Sequence, residues 1–103
     1  MTDHTTVRNF IREFSNMGPD VIHCFTSGNC YWFAAILKLR FPEGDIMYDE
    51  IENHFGFQYS DKTYDITGDV TNIYRWEPWQ NVFLRDPIHG KRIEKDCILK
   101  ERR

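Results

Sequence analysis

Cys30-Tyr31-Trp32-Phe33-Ala34-Ala35-Ile36-Leu37-Lys38-Leu39 carries no charge until Lys38 and is apolar on nearly every side. A run of this kind predicts a helix buried in the middle of a domain rather than lying on a surface. Thr26-Ser27-Gly28-Asn29 before it is turn chemistry. Phe41-Pro42-Glu43-Gly44 stops it. The rest of the chain has to be arranged around this one element.

Upstream, Val7, Phe10, Ile11 and Phe14 recur at helical spacing, so residues 5 to 16 predict an amphipathic helix. Thr5 or Thr6 is the expected cap, and Met17-Gly18-Pro19 the stop. Val21 to Phe25 suits an extended segment. Downstream the period changes to two. Residues 46 to 51 suit a strand. In residues 53 to 59, His54, Gly56 and Gln58 alternate with Phe55, Phe57 and Tyr59. Ser60-Asp61-Lys62 suits a hairpin turn, Thr63 to Thr67 a third strand, and Gly68-Asp69 its end. The stretch 46–67 is thus expected to form an antiparallel meander. Trp76-Glu77-Pro78-Trp79 reads as a loop with two rings, Gln80 to Arg85 as a strand or helical turn, and His89-Gly90 as a turn. The last residues, 91–103, suit a short surface helix or a frayed tail.

The expected fold class is therefore α+β: an N-terminal helix and a buried central helix on a small antiparallel sheet. The 103 residues fit a single domain. Its core is expected over about 21–88, with a charged segment at 90–103. Aromatic residues make up 16% of the chain, enough for a core or groove built of rings. The formal net charge of −3 argues against a nucleic-acid partner, which calls for a basic face. No apolar run approaches the ~20 residues of a membrane span, and the polar start MTDHTTVRNF does not read as a signal peptide. Cys24, Cys30 and Cys97 cannot all pair within one chain. These features point to a cytoplasmic protein with free thiols.

Cys30 opens the central helix. The first turn of a helix offers unpaired N–H groups and partial positive charge, which stabilise a thiolate and can hold an oxyanion. On position alone, a small buried cysteine is an equally good account. His54, on the second strand, supplies a base if it reaches the thiol. A hairpin turning at 60–62 sets His54 opposite residue 65 or 66. Asp65 would then share its face and orient the imidazole. Each residue has an ordinary reading as core or surface; the three together are the sharper reading.

Gly28-Asn29-Cys30-Tyr31-Trp32-Phe33-Ala34, Asn53-His54-Phe55 and Tyr64-Asp65-Ile66-Thr67-Gly68 together resemble the papain-like and transglutaminase-like cysteine enzymes. The resemblance covers about 28–68. It implies a papain-like/transglutaminase-like core with Cys30 as nucleophile, His54 as base and Asp65 as the orienting residue. It implies a thiol-dependent peptidase, amidase, deamidase or acyl transferase acting on a protein or peptide, with no metal and no organic cofactor. The glutamine that serves as oxyanion donor in the papain pattern is missing upstream of Cys30. Asn29 and Ser27 are the nearby polar candidates. Trp32, Trp76 and Trp79 are candidates for lining a substrate cleft, although core packing is the better account of most rings near Cys30.

The alternative is a catalytically inactive protein of the same fold that acts by binding, for example a phage or mobile-element inhibitor. A zinc site drawn from His23, Cys24, Cys30, His54 and Asp65 is disfavoured, because Cys24 and Cys30 are spaced too widely for a knuckle and no second pair follows. Asp45, Asp49, Glu50 and Glu52 read as a solvated acidic face.

Overall fold

The computed structural model describes residues 3–18, 20, 21 and 30–100, with the side chains of 94–100 left aside. The expected extended segment at 21–25 therefore lies, after Val21, outside the described residues. The fold class is α+β. Among the described residues, four helices accompany one five-stranded antiparallel sheet.

Helix α1 spans His4–Ser15 and buries Val7 and Ile11, with Phe10 and Phe14 packed beside them. Its cap is Asp3, not Thr5 or Thr6: the Asp3 carboxylate accepts from the Thr6 amide at 2.9 Å and from the Thr6 hydroxyl at 3.0 Å. A carboxylate also favours the positive end of the helix dipole. Helix α2, Cys30–Arg40, is the central helix and buries Cys30, Phe33, Ala34 and Leu37.

Strands β1 (Asp45–Asp49), β2 (His54–Tyr59) and β3 (Lys62–Asp65) form the meander. The expected third strand stops at Asp65. Gly68–Asp69 does not merely end it but folds back as β4, paired with Tyr64 and Asp65. Gly68 has φ 118°, which a residue with a side chain rarely adopts. The sheet order is β4-β3-β2-β1-β5, where β5 is Glu77–Pro78. The Trp76–Trp79 stretch is thus partly strand. Pro78, which cannot donate to a ladder, sits on the edge strand where that costs little.

Two more helices close the chain: α3, Trp79–Arg85, and α4, Pro87–Lys100. His89 and Gly90 are helical rather than a turn. Asp86 accepts from the His89 amide at 3.1 Å, and Pro87 stands at the first helical position, where its missing N–H is harmless. At Gly90 an added Cβ would lie 2.8 Å from the Phe83 ring, so α3 and α4 approach too closely there for a side chain.

Two clusters form the core on the helical side of the sheet. One joins α1, α2, β2 and β3 through Val7, Phe33, Leu37, Phe57 and Tyr64. The other joins α2, β1, β2, α3 and α4 through Ala34, Tyr48, Phe55, Trp79 and Ile93. Phe55 and Phe57 anchor one cluster each, as the alternation of β2 requires. The opposite face is covered by the connection 70–76, which lays the Trp76 ring over Gly56. A Cβ there would stand 2.8 Å from that ring.

No described helix is long and apolar enough to cross a membrane.

Gly44 gives a test of the packing. An added Cβ would fall on the fully buried Phe57 ring and 2.6 Å from the Gln58 carbonyl oxygen. Gly44→Ala is expected to lower stability by about 1–3 kcal/mol, the usual cost of overpacking. The check is a lower urea midpoint with an unchanged denaturant slope.

Candidate active site

Cys30 is the first residue of α2 and is 7% exposed. His54 is the first residue of β2, where the sheet ends and its ring can meet the start of that helix. The Cys30 thiol is near enough to the ring to favour its charge. On its other side the ring bonds to Asp65, with Nε2 and Oδ2 2.8 Å apart. Since Nε2 faces Asp65, Nδ1 is the nitrogen left for the thiol. The ring therefore lies between Cys30 and Asp65 and interacts with both.

The register that brings His54 to Asp65 differs from the expected one. Pairing runs Phe57 to Tyr64, Gln58 to Thr63 and Tyr59 to Lys62. The turn is two residues, Ser60 and Asp61, with Ser60 at φ 56°. Such short turns need positive φ to match strand twist. Continuing the register sets residue 65 opposite Gly56, so His54 and Asp65 are diagonal neighbours. They still share a face, because a shift of two preserves the alternation. Gly56 helps here, since no side chain stands between them.

Asp65 is held from behind by Thr67. Its Oδ1 accepts from the Thr67 amide at 2.8 Å and from the Thr67 hydroxyl. The same arrangement recurs at Asp69, which accepts from the Thr71 amide and hydroxyl. Thr67 belongs to the Tyr64–Gly68 stretch, and the repeated Asp-x-Thr pattern at 65–67 and 69–71 is the sequence signal for its role. Burial raises the Asp65 carboxyl, but His54 and the two Thr67 donors outweigh it and hold the group below the usual carboxylate range.

His54 shows the complementary shift. Burial disfavours its charge, yet hydrogen bonds and charges at Asp65 and Cys30 push its pKa up to about 9. Both partners are well shielded, with side chains 12% and 7% exposed.

Tyr74 lies 4.7 Å from the His54 ring centroid and Trp76 lies 5.9 Å from it. They cover the imidazole and keep water from its face. Burial and negative charge at Asp65, Glu52, Asp49 and Cys30 raise the Tyr74 phenol, which places it in the same electrostatic neighbourhood. Nothing in a single Tyr between Ile73 and Arg75 announces this position.

Of the other candidates, Trp32 is 44% exposed on the first turn of α2. Trp79 belongs to the core, 6% exposed against Tyr48 and Phe55. Tyr31 packs edge-on against Phe55. Asn29 and Ser27 lie outside the described residues, as do His23 and Cys24 of the zinc alternative. Among the described residues, no group of three His, Cys, Asp or Glu side chains is arranged to hold a metal ion.

Asp49 is not part of a solvated face: it is 2% exposed. One oxygen accepts from the amides of Ile51 and Glu52, closing the β1–β2 turn. The other accepts from the Arg75 amide at 2.9 Å and anchors the segment that carries Tyr74 and Trp76.

A family model described as Phage YunG-like protein matches residues 7–93. That span is most of the chain and includes Cys30, His54 and Asp65, and the chain belongs to this family. No curated protein and no solved structure matches it.

The shifts set a pH window. A raised His54 contributes stability that is fully present below its unfolded value of 6.5 and is lost as pH rises through about 9. A lowered Asp65 contributes stability present above its unfolded value of 3.8 and lost as pH falls through its folded one. The stability difference between wild type and Asp65→Asn is therefore expected to be largest between about pH 4 and 6.5. It should be at most about 3 kcal/mol there and fade toward pH 9. Urea midpoints across that range check the window. Imidazole NMR titration should show His54 falling from about 9 toward the free value in Asp65→Asn.

Proposed function

We propose that this member of the Phage YunG-like family is a thiol-dependent acyl-transfer enzyme, a peptidase, amidase, deamidase or acyl transferase acting on a protein or peptide. One observation carries the reading: Cys30, His54 and Asp65 come together at the start of a buried helix, with His54 hydrogen-bonded to Asp65 and its pKa pushed up to about 9 by both neighbours. A protonated imidazole beside the cysteine is what a thiolate–imidazolium pair requires.

In this mechanism the Cys30 thiolate attacks a carbonyl carbon. The new S–C bond forms as the carbonyl π pair moves onto oxygen, and the helix start supplies positive potential to that oxyanion. When the tetrahedral intermediate collapses, the C–N bond breaks and His54 gives its proton to the departing amine. Water, or a second amine, then attacks the thioester while neutral His54 takes its proton. The thiolate leaves and the pair is restored. Asp65 stays ionised throughout and holds Nε2, so that Nδ1 keeps facing sulfur. A working thiolate needs a reducing compartment, which suits the cytosol. The papain-like resemblance supports this order of roles and suggests the same core architecture.

The second reading is a binding protein of phage or mobile-element type in which the site no longer turns over; the family's description names a phage and fits either reading. The same experiment separates the two. With Cys24 and Cys97 replaced by Ser, the rate of Cys30 alkylation by iodoacetamide is followed against pH. Catalysis predicts reaction well below the ~8.5 of a free thiol, with at least a tenfold loss at pH 6–7 in His54→Ala. Ordinary titration, or no reaction in the folded protein, ends the catalytic reading and directs attention to binding partners.

A further inference from the structure

A groove of about 560 Å³ runs between α1 and the turn that joins β3 to β4. Ile11 and Ile66, 4% and 2% exposed, contribute its apolar lining. Arg8 and Arg12 stand one helical turn apart along one wall, and Thr67 and Gly68 belong to the other. A Cβ added at Gly68 would meet nothing within 4 Å, so the backbone there faces open space.

The two arginines are chemically available. Neither pairs with a carboxylate among the described residues, although the chain carries a net charge of −3. Arg12 donates from one Nη to Asn9 at 2.7 Å, which steadies the guanidinium and leaves its other N–H groups to face a ligand. The second groove, of about 370 Å³ beside β1 and α3, offers a contrast. Its lysine, Lys38, is already committed to the carbonyls of Pro42 and Gly44 and lies 3.8 Å from Asp45.

We propose that the groove between α1 and the 66–68 turn binds an oxyanion, carboxylate or phosphate, carried on a small apolar body, through Arg8 and Arg12. Two guanidinium forks match the paired oxygens of either group, and the isoleucines take the body. The volume falls in the range of small-molecule sites. This site does not depend on thiol chemistry at Cys30. It meets the triad only at Thr67, whose amide and hydroxyl hold Asp65.

The test is a titration of the full chain, followed by ¹H–¹⁵N NMR, with phenyl phosphate, benzoate and neutral benzyl alcohol. Saturable shifts are expected at the Thr67 and Gly68 amides and at the Nε–H groups of Arg8 and Arg12, with one of the two anions. The anion that binds more tightly names the source, phosphate or carboxylate. Arg8→Gln and Arg12→Gln should each weaken it at least tenfold, as loss of a charge-assisted contact does. Both positions are exposed, and unchanged spectral dispersion confirms that the variants fold. Absence of saturation with either anion, equal binding of benzyl alcohol, or undiminished affinity in the double variant would overturn the proposal.

Discussion

The two-residue period of β2 is the constraint on which the other elements depend. Phe55 and Phe57 point to one face, and each anchors one of the two core clusters beneath α1, α2, α3 and α4. The same alternation sends His54 and Gly56 to the other face. A slip by one residue would drive both rings into the face of Trp76 and put the histidine in the core. The residues that make the fold stable therefore also decide where the imidazole is. The site inherits its precision from packing rather than from its own hydrogen bonds alone.

Charge is kept at the site because every buried member has a partner. Burial alone would push Asp65 toward neutrality and His54 toward loss of its proton. Both shifts run the other way because Asp65 accepts from His54 and twice from Thr67, and His54 lies between two groups that favour its charge. Removing one partner leaves a charge uncompensated in a shielded place, which costs far more than the contact itself is worth. This is why Thr67 matters to the histidine that Asp65 holds.

The sequence was most legible where a single periodicity governed. The apolar run after Cys30 could only be a buried helix, and the alternation of 54–59 could only be a half-covered strand. The composition of His54, Asp65 and Cys30 then made their meeting readable, even though the register, continued, sets residue 67 rather than 65 or 66 opposite His54. Asp65 still shares the face of His54, because it lies two residues, one full period, from position 67. The difference arose because Ser60 adopts a positive φ that its residue type does not advertise. Other misreadings have equally local causes. Asp3 outcompetes Thr5 and Thr6 as a cap because its carboxylate reaches both the amide and the hydroxyl of Thr6. His89-Gly90 suggested a turn, but Asp86-Pro87 just before it is a helix start, and the glycine is there for the Phe83 ring. Asp49 and Tyr74 were not legible at all. Their roles come from a contact between segments far apart in the chain, and no local pattern encodes it.

Among the described residues, the connection 70–76 rather than a helix covers the far side of the sheet. At one end the Thr71 hydroxyl accepts from the Thr63 amide at 2.9 Å, and the Trp76 indole donates to the Val70 carbonyl, which ties the two ends of the connection together. Asp49 holds the other end through the Arg75 amide. The rings it carries exclude water from the sheet face and, in the same act, from the imidazole. Covering the sheet and shielding the site are one structural job here. Gly56 allows this close cover: any side chain there would lift Trp76, expose the face, and open the His54–Asp65 bond to water.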